Sequence, residues 1–198
     1  MPRKLVRPLP VPVLADVAAV AAADHSLAGV RNYAALLVFL DTGIRRQELL
    51  DIRPDDVLFE QGLIRVMGKG RKERIVVIET RTKQTLVQYL RRRKGTCEAL
   101  WVTEEGRPPS AVGLETAFRR LARRAEVPEG LKRGPHVYRH TAVTSYLRNG
   151  GNLKCLQKML GHTDIKTTMV YVDGPLDAMV AIHPDADHIG GLIAVLAR

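Results

Sequence analysis

The sequence has few of the features that mark secreted or membrane-spanning proteins. Its two cysteines, Cys97 and Cys155, are far apart and form no C-x-x-C pair, which is typical of thiols in a reducing compartment. No stretch approaches the ~20 apolar residues of a membrane span. Pro10, Pro12 and Asp16 interrupt the apolar run near the N-terminus, so that run is not interpreted as a signal peptide. We therefore expect a cytoplasmic protein with no membrane partner.

Metal-ligand patterns are also scarce. His136 and His140 stand four residues apart, a spacing that places two imidazoles on one helix face. Val137 follows His136, however, so the glutamate of an H-E-x-x-H motif is missing, and His140 is interpreted as structural. A second group of ligand-type residues in the C-terminal tail lies beside a proline and is interpreted as a loop: His183, Asp185, Asp187 and His188. The sequence therefore predicts no metal and no other cofactor.

Positive charge is abundant. The 198-residue chain has 31 Lys and Arg against 21 Asp and Glu, a formal net charge of +10. Such a balance favours a polyanionic partner, most often nucleic acid, although a basic protein without such a partner remains the alternative. Hydrophobic residues make up 45% of the chain, enough for the core of one domain. The basic runs 91–94 and 119–124 are consistent with solvated helix faces or with phosphate contacts.

Periodicity predicts an α+β fold that is mostly helical, with a small three-stranded antiparallel sheet. Residues 1–12 are predicted to be an extended basic lead-in, 13–182 the main domain and 183–198 a C-terminal tail. The predicted strands are Val57–Phe59, Leu63–Met67 and Arg74–Ile78. The predicted helices are Leu14–Ala23, Arg31–Asp41, Arg45–Leu50, Thr82–Arg93, Ala111–Ala125, His136–Arg148 and Leu153–Leu160.

Six scattered residues together suggest chemistry on a phosphodiester. They provide three cations, two imidazoles and one phenol, without an acidic cluster nearby in sequence: Arg45, Lys69, His136, Arg139, His162 and Tyr171. Arginine is always charged, is planar and can bond two phosphate oxygens at once. This set suits attack by a hydroxyl on phosphorus, with the developing charge stabilised by side chains.

Four motifs surround these residues and occur in a characteristic order. They are T-G-I-R-R-Q-E-L at 42–49, G-K-G-R-K-E-R at 68–74, H-V-Y-R-H-T at 136–141, and L-G-H at 160–162 followed by Ile165, Thr167, Thr168 and Tyr171. Each motif alone is weak, but the four in order resemble the tyrosine recombinase (phage integrase) family. The resemblance covers roughly residues 9–182 and implies a fold of the recombinase catalytic-domain type.

The resemblance also implies a role for each site residue. Arg45 and Arg139 would stabilise the phosphate in the transition state, and Tyr171 would attack to form a 3′-phosphotyrosyl link without metal or ATP. Lys69, at a predicted hairpin tip, would protonate the leaving 5′ oxygen, although Arg71 and Lys72 compete for this role.

The remaining residues have supporting roles under the same resemblance. His136 and His162 would donate hydrogen bonds to the phosphate or help to move the tyrosine proton. Glu48, three residues after Arg45, would orient the cations of the site.

The resemblance implies a site-specific recombinase or integrase that acts on double-stranded DNA in a tetrameric synapse. Many family members carry a further N-terminal domain that helps to clamp DNA, and this chain starts close to the catalytic part. It is therefore expected to be either a fragment or a naturally short recombinase. The 183–198 tail either docks on a neighbouring protomer or packs on its own domain.

Three other functions stay open on the sequence. A type IB topoisomerase uses related chemistry, and a catalytically silent DNA-binding regulator could have the same fold. A metal-dependent nuclease is the third, and it would lose cleavage in EDTA, whereas a tyrosine recombinase would not.

Overall fold

A long central helix organises the described part of the chain. The structure is a computed structural model that describes residues 7–68, 70, 72–161 and 168. Its helices within that part are α1 Val11–Ala22, α2 Leu27–Thr42, α3 Arg46–Leu50, α4 Thr80–Arg92, α5 Ala111–Arg124, α6 Pro135–Arg148 and α7 Leu153–Leu160. Its strands are β1 Val57–Leu58, β2 Leu63–Met67 and β3 Glu73–Val77, preceded by a 3₁₀ turn at Pro54–Asp56.

Helix α2 is buried on nearly every face, because its apolar residues are distributed all round the helix. It begins at Ser26, whose hydroxyl accepts a hydrogen bond from the amide of Gly29 at 3.0 Å and so satisfies a free donor of the first turn. It packs against α1, α4 and α6. It ends at Gly43, which adopts φ 57°, a left-handed conformation that glycine tolerates best. This turn redirects the chain into α3.

The three strands form an antiparallel sheet in the order β1-β2-β3. Leu63 pairs with Val77, and Met67 pairs with Glu73. Strand alternation places one set of side chains in the core, including Ile64, Val66 and Val76. The predicted mostly helical α+β fold with a small three-stranded antiparallel sheet is therefore confirmed, with strand ends that differ by about one residue.

Helix α1 begins three residues before its predicted start at Leu14. Helix α1 begins at Val11, with Pro10 as its N-cap, because proline is compatible with a first helical turn that has no amide partners to lose. The preceding segment is also packed: Leu9 is buried, and its amide donates to the hydroxyl of Thr141 at 2.9 Å.

The 183–198 tail lies outside the described residues. Within the described ranges, the structure contains no helix with the length and apolar character to cross a membrane.

A buried carboxyl group links the end of α2 to the start of α4. Asp41 is 3% exposed, and one of its oxygens accepts a hydrogen bond from the amide of Glu79, the N-cap of α4, at 2.8 Å. Burial raises the pKa of Asp41 from its ordinary 3.8 to about 7, against the opposing effects of Thr82 and the Glu79 amide. The folded protein therefore holds this proton more tightly than the unfolded chain does.

Asp41→Asn should stabilise the protein at neutral pH. Stability associated with the neutral carboxyl is complete below pH 3.8 and is lost as the pH rises through about 7. The asparagine oxygen still accepts the Glu79 amide and carries no charge, so the gain above pH 7 should be about 2–4 kcal/mol. Urea unfolding between pH 4 and pH 8 measures it, with the exposed Asp16→Asn as control. An advantage of Asp41→Asn that does not grow with pH would contradict this account.

Candidate active site

The turn between α2 and α3 places Arg45 at the edge of the site. After the left-handed Gly43, Arg45 is extended and forms the N-cap of α3. Its backbone amide donates to a carboxylate oxygen of Glu48 at 2.7 Å, and its side-chain Nη1 donates to the other at 2.8 Å. Nη1 also donates to the carbonyl of Leu160 at 3.3 Å. The Arg45 side chain remains 41% exposed, so it is held from one side and open on another.

Glu48 is the buried anion of the site. Its side chain is 7% exposed and forms ion pairs with Arg45 at 2.8 Å and with Arg74 at 2.7 Å. Burial alone would raise the pKa of Glu48, but the hydrogen bonds from Arg74, from the Arg45 amide and from the Arg45 side chain lower it to about 2. The carboxylate therefore stays ionised between two guanidinium groups.

Arg74, on β3, was not selected from the sequence as a site residue. Its Nη2 and Nη1 donate to the two oxygens of Glu48 at 2.7 and 3.1 Å, and its Nε donates to the carbonyl of Met159 at 2.7 Å. The side chain is only 11% exposed. The sequence pattern that could have identified Arg74 is strand alternation, which places Arg74 on the same inward face of β3 as the buried Val76.

Arg139 reaches the same turn from α6. It is 6% exposed, and its Nη1 donates to the carbonyl of Gly43, two residues before Arg45. Helix α6 starts at Pro135, where a missing amide costs nothing. The fold therefore brings Arg45 and Arg139, which are far apart in sequence, to one short backbone segment.

His136 lies in the first turn of α6 and is exposed. The helix start is packed tightly on α5, since a Cβ at Gly134 would lie 2.2 Å from an oxygen of Glu115. Glu115 in turn pairs with Arg46 at 3.3 Å and with Arg119 at 3.0 Å.

On α6, burial lowers the pKa of His140. Among the residues that the structure describes, no group of three or more His, Cys, Asp or Glu is placed to hold a metal ion.

The other three predicted site residues, Lys69, His162 and Tyr171, lie outside the described residues. Their sequence neighbours are described. The amide of Gly68 donates to the carbonyl of Lys72 at 2.9 Å, which joins the two arms of the hairpin. Helix α7 ends at Gly161, which has φ 63°. The tail cluster His183, Asp185, Asp187 and His188 also lies outside the described part of the chain.

The described side chains form a basic site with one internal counter-ion. Three guanidinium groups, those of Arg45, Arg74 and Arg139, converge around the α2–α3 turn, where Glu48 provides one negative charge. Arg45 is the cation among them with substantial exposure. An anion such as a phosphate can approach Arg45 without displacing the buried pairs, and charge-assisted hydrogen bonds would hold it there.

Comparison with known proteins gives a consistent family. The model of the phage integrase family matches residues 15–175. Tyrosine recombinase XerC of Lactobacillus leichmannii is 33% identical over 159 residues, which are 77% of this chain and 53% of the relative. The chain thus spans about half the length of this relative.

Solved structures give the same fold. The crystal structure of XerA recombinase matches with a TM-score of 0.74 at 30% identity, over 86% of this chain and 60% of that one. A Tn1549 transposon integrase in complex with transposon right end DNA matches with a TM-score of 0.73 at 24% identity, over 86% of this chain and 62% of that one.

Glu48→Gln should destabilise the protein at neutral pH. Since the folded-state pKa of Glu48 is lowered, the stability it provides is complete above its ordinary value of 4.5 and is lost as the pH falls toward about 2. The expected loss at pH 7 is about 3 kcal/mol, and it should shrink as the pH approaches 2. Urea unfolding at a series of pH values measures this difference.

Glu115→Gln is the matched control. Glu115 also pairs with two arginines, but Arg119 is 62% exposed, and such surface pairs contribute about 0–1 kcal/mol. Equal losses for the two variants would contradict a special role for the buried carboxylate.

Proposed function

Because this chain belongs to the phage integrase family of tyrosine recombinases, we propose that it is a site-specific DNA recombinase that cleaves and rejoins strands through a 3′-phosphotyrosyl intermediate. The observation that carries the proposal is the convergence of Arg45 and Arg139 on the turn between α2 and α3. Both arginines occur in the family's motifs, and the exposed one is fixed by a buried carboxylate. That is the arrangement needed to bind a phosphodiester and stabilise the charge it gains during attack.

In the proposed first step, the hydroxyl oxygen of Tyr171 attacks the phosphorus in line with the 5′ oxygen. A bond forms between the tyrosine oxygen and phosphorus, and the bond from phosphorus to the 5′ oxygen breaks. The tyrosine gives up its proton to the side of the site that carries His136 and His162, and Lys69 donates a proton to the 5′ oxygen as it leaves. The second step reverses these changes with a 5′ hydroxyl from another strand. Each step exchanges one phosphate ester bond for another, so rejoining needs no ATP, and the cationic side chains supply the positive charge that a metal ion would otherwise provide.

The described cations divide the electrostatic work. Arg45 and Arg139 would donate to the nonbridging oxygens, where charge accumulates in the transition state. His136, exposed at the start of α6, would add a hydrogen bond together with His162. Glu48 fixes Arg45 through two hydrogen bonds, which limits the rotamers that the arginine can adopt before substrate arrives.

The partner is double-stranded DNA, and the net charge of +10 favours its phosphate backbone. Strand exchange requires at least two cut duplexes, so self-association on DNA into a tetrameric synapse is part of the proposal. In the proposed assembly, a further N-terminal domain would help to clamp the DNA, and the 183–198 tail would dock on a neighbouring protomer. Action on DNA of this kind implies a cytoplasmic location.

Tyr171→Phe should abolish covalent attachment to DNA while leaving DNA binding nearly unchanged. The phenylalanine lacks the attacking oxygen but keeps the ring. The measurement mixes protein with supercoiled or nicked plasmid carrying a randomised insert, denatures it rapidly in EDTA and separates protein–DNA adducts on a gel. Adducts with the wild type alone would support the proposal. Binding without adducts in either protein would favour a silent DNA-binding regulator, and adducts with Tyr171→Phe would contradict the assigned nucleophile.

Lys69→Ala should slow cleavage of ordinary DNA. On DNA with a bridging sulfur in place of the 5′ oxygen, the cleavage rate of the variant should recover. A thiolate leaves without a proton, so the general acid becomes dispensable. Adduct formation on the two substrates gives the comparison, and Lys72→Ala serves as the control from the same basic run. Recovery by Lys72→Ala instead of Lys69→Ala would transfer the assignment to Lys72.

A further inference from the structure

Arg74 connects two segments of the site that are distant in sequence. Through Nη1 and Nη2 it binds both oxygens of Glu48, and through Nε it binds the carbonyl of Met159 in the last turn of α7. All three guanidinium nitrogens are therefore engaged. With the side chain 11% exposed, little of the guanidinium remains available to a substrate.

Two glycines leave space for this guanidinium. A Cβ at Gly161 would lie 3.2 Å from Nη1 and 3.3 Å from Cδ of Arg74, and a Cβ at Gly68 would lie 3.4 Å from Nη1. A larger residue at Gly161 would press on the arginine, and one at Gly68 would be in direct contact with it. Arg74 thus fills the junction between the arm of the hairpin that ends at Gly68 and the end of α7 at Gly161.

Glu48 passes the effect of this junction to Arg45. The same Glu48 oxygen that accepts from Arg45 Nη1 at 2.8 Å accepts from Arg74 Nη1 at 3.1 Å. A single carboxylate between two guanidinium groups has its position set by both of them. Arginine suits this junction better than lysine because its planar fork provides paired donors with a fixed geometry.

We propose that Arg74 is a positioning residue of the strand-cleavage reaction, which locks Glu48 and thereby Arg45 in place and holds the end of α7 against the sheet. The inference deepens the proposed function and rests on it. It assigns to Arg74 no contact with DNA. Its effect on the reaction passes through Glu48 on one side and through the Met159 carbonyl on the other.

The first test measures adduct formation by Arg74→Gln and Arg74→Lys, with Arg65→Gln as control. Arg65 lies on the neighbouring strand, is 42% exposed and pairs with Asp56 at 3.7 Å, so its loss should leave the rate within about twofold of wild type. Arg74→Gln should lower the rate of adduct formation about 10–100-fold, as loss of a supporting contact typically does, with DNA binding preserved. An unchanged rate for Arg74→Gln would overturn the proposal.

A pH profile separates positioning from general structural support. In the described residues, the charged groups that contact Glu48 are Arg45 and Arg74. Without Arg74, Glu48 should take up a proton at higher pH, so the acidic limb of the pH–rate profile should shift to higher pH. Arg74→Lys should restore that limb, because it supplies a charge, but not the full rate, because it loses the bond to Met159. The double variant Glu48→Gln with Arg74→Gln has no carboxyl to titrate at this position, so its acidic limb should not be shifted. Its rate should be little lower than that of Glu48→Gln alone, because the two residues act through one contact.

A second arm requires no DNA and so remains decisive if the wild type forms no adduct, an outcome that would count against the proposed function alone. NMR titration of ¹³C-labelled glutamate carboxyls reports the Glu48 pKa, and hydrogen exchange reports the amides of 153–161. Arg74→Gln should raise the pKa and speed exchange at the end of α7, whereas Arg65→Gln should change neither. If Arg74→Gln leaves both values as in the wild type, Arg74 does not position these groups, and the proposal fails.

Discussion

The described site depends on one buried carboxylate placed between two guanidinium groups. An isolated ion as buried as Glu48 would be costly, and it would take up a proton rather than stay charged. Arg45 and Arg74 reverse this preference by surrounding the carboxylate with hydrogen bonds to its charged form. The same bonds fix both arginines. Arg139 adds a third guanidinium group at the neighbouring Gly43 carbonyl, so positive charge remains in excess at the site, and a phosphate can neutralise it.

The backbone turn that ends α2 serves both of the arginines proposed to bind the phosphate. Gly43 adopts a left-handed conformation, which stops the helix and directs the chain into α3, so that Arg45 becomes an N-cap. The carbonyl of the same glycine accepts a hydrogen bond from Arg139. A Cβ at this position would also approach Leu160 and Val143 at 3.3 Å. One small residue therefore sets the direction of the chain, the position of Arg139 and the packing of α7.

Local signals in the sequence predicted much of this arrangement, and contacts between distant residues account for what it missed. The family resemblance implied that Glu48 orients the cations of the site, and its contact with Arg45 follows from the geometry of an N-cap and the third residue of its helix. Alternation predicted the three strands. Arg74 was missed because it is one of several basic residues in the hairpin, among which sequence alone does not distinguish it from Lys72. Its partner Glu48 is also 26 residues away. Helix α1 starts early because Pro10 and Pro12 fit its cap and first turn, a position in which proline does not break a helix.

Exposure separates two uses of the same residue type within one site. The Arg45 side chain is 41% exposed and that of Arg74 is 11% exposed, although both bind Glu48. The more exposed arginine can exchange water for a phosphate, while the buried one cannot do so without breaking three hydrogen bonds. Gly68 and Gly161 both pack on the guanidinium of Arg74, and they directly precede Lys69 and His162 in the sequence. The two described residues that precede these proposed catalytic positions therefore both adjoin the same side chain, which also binds the carboxylate that holds Arg45.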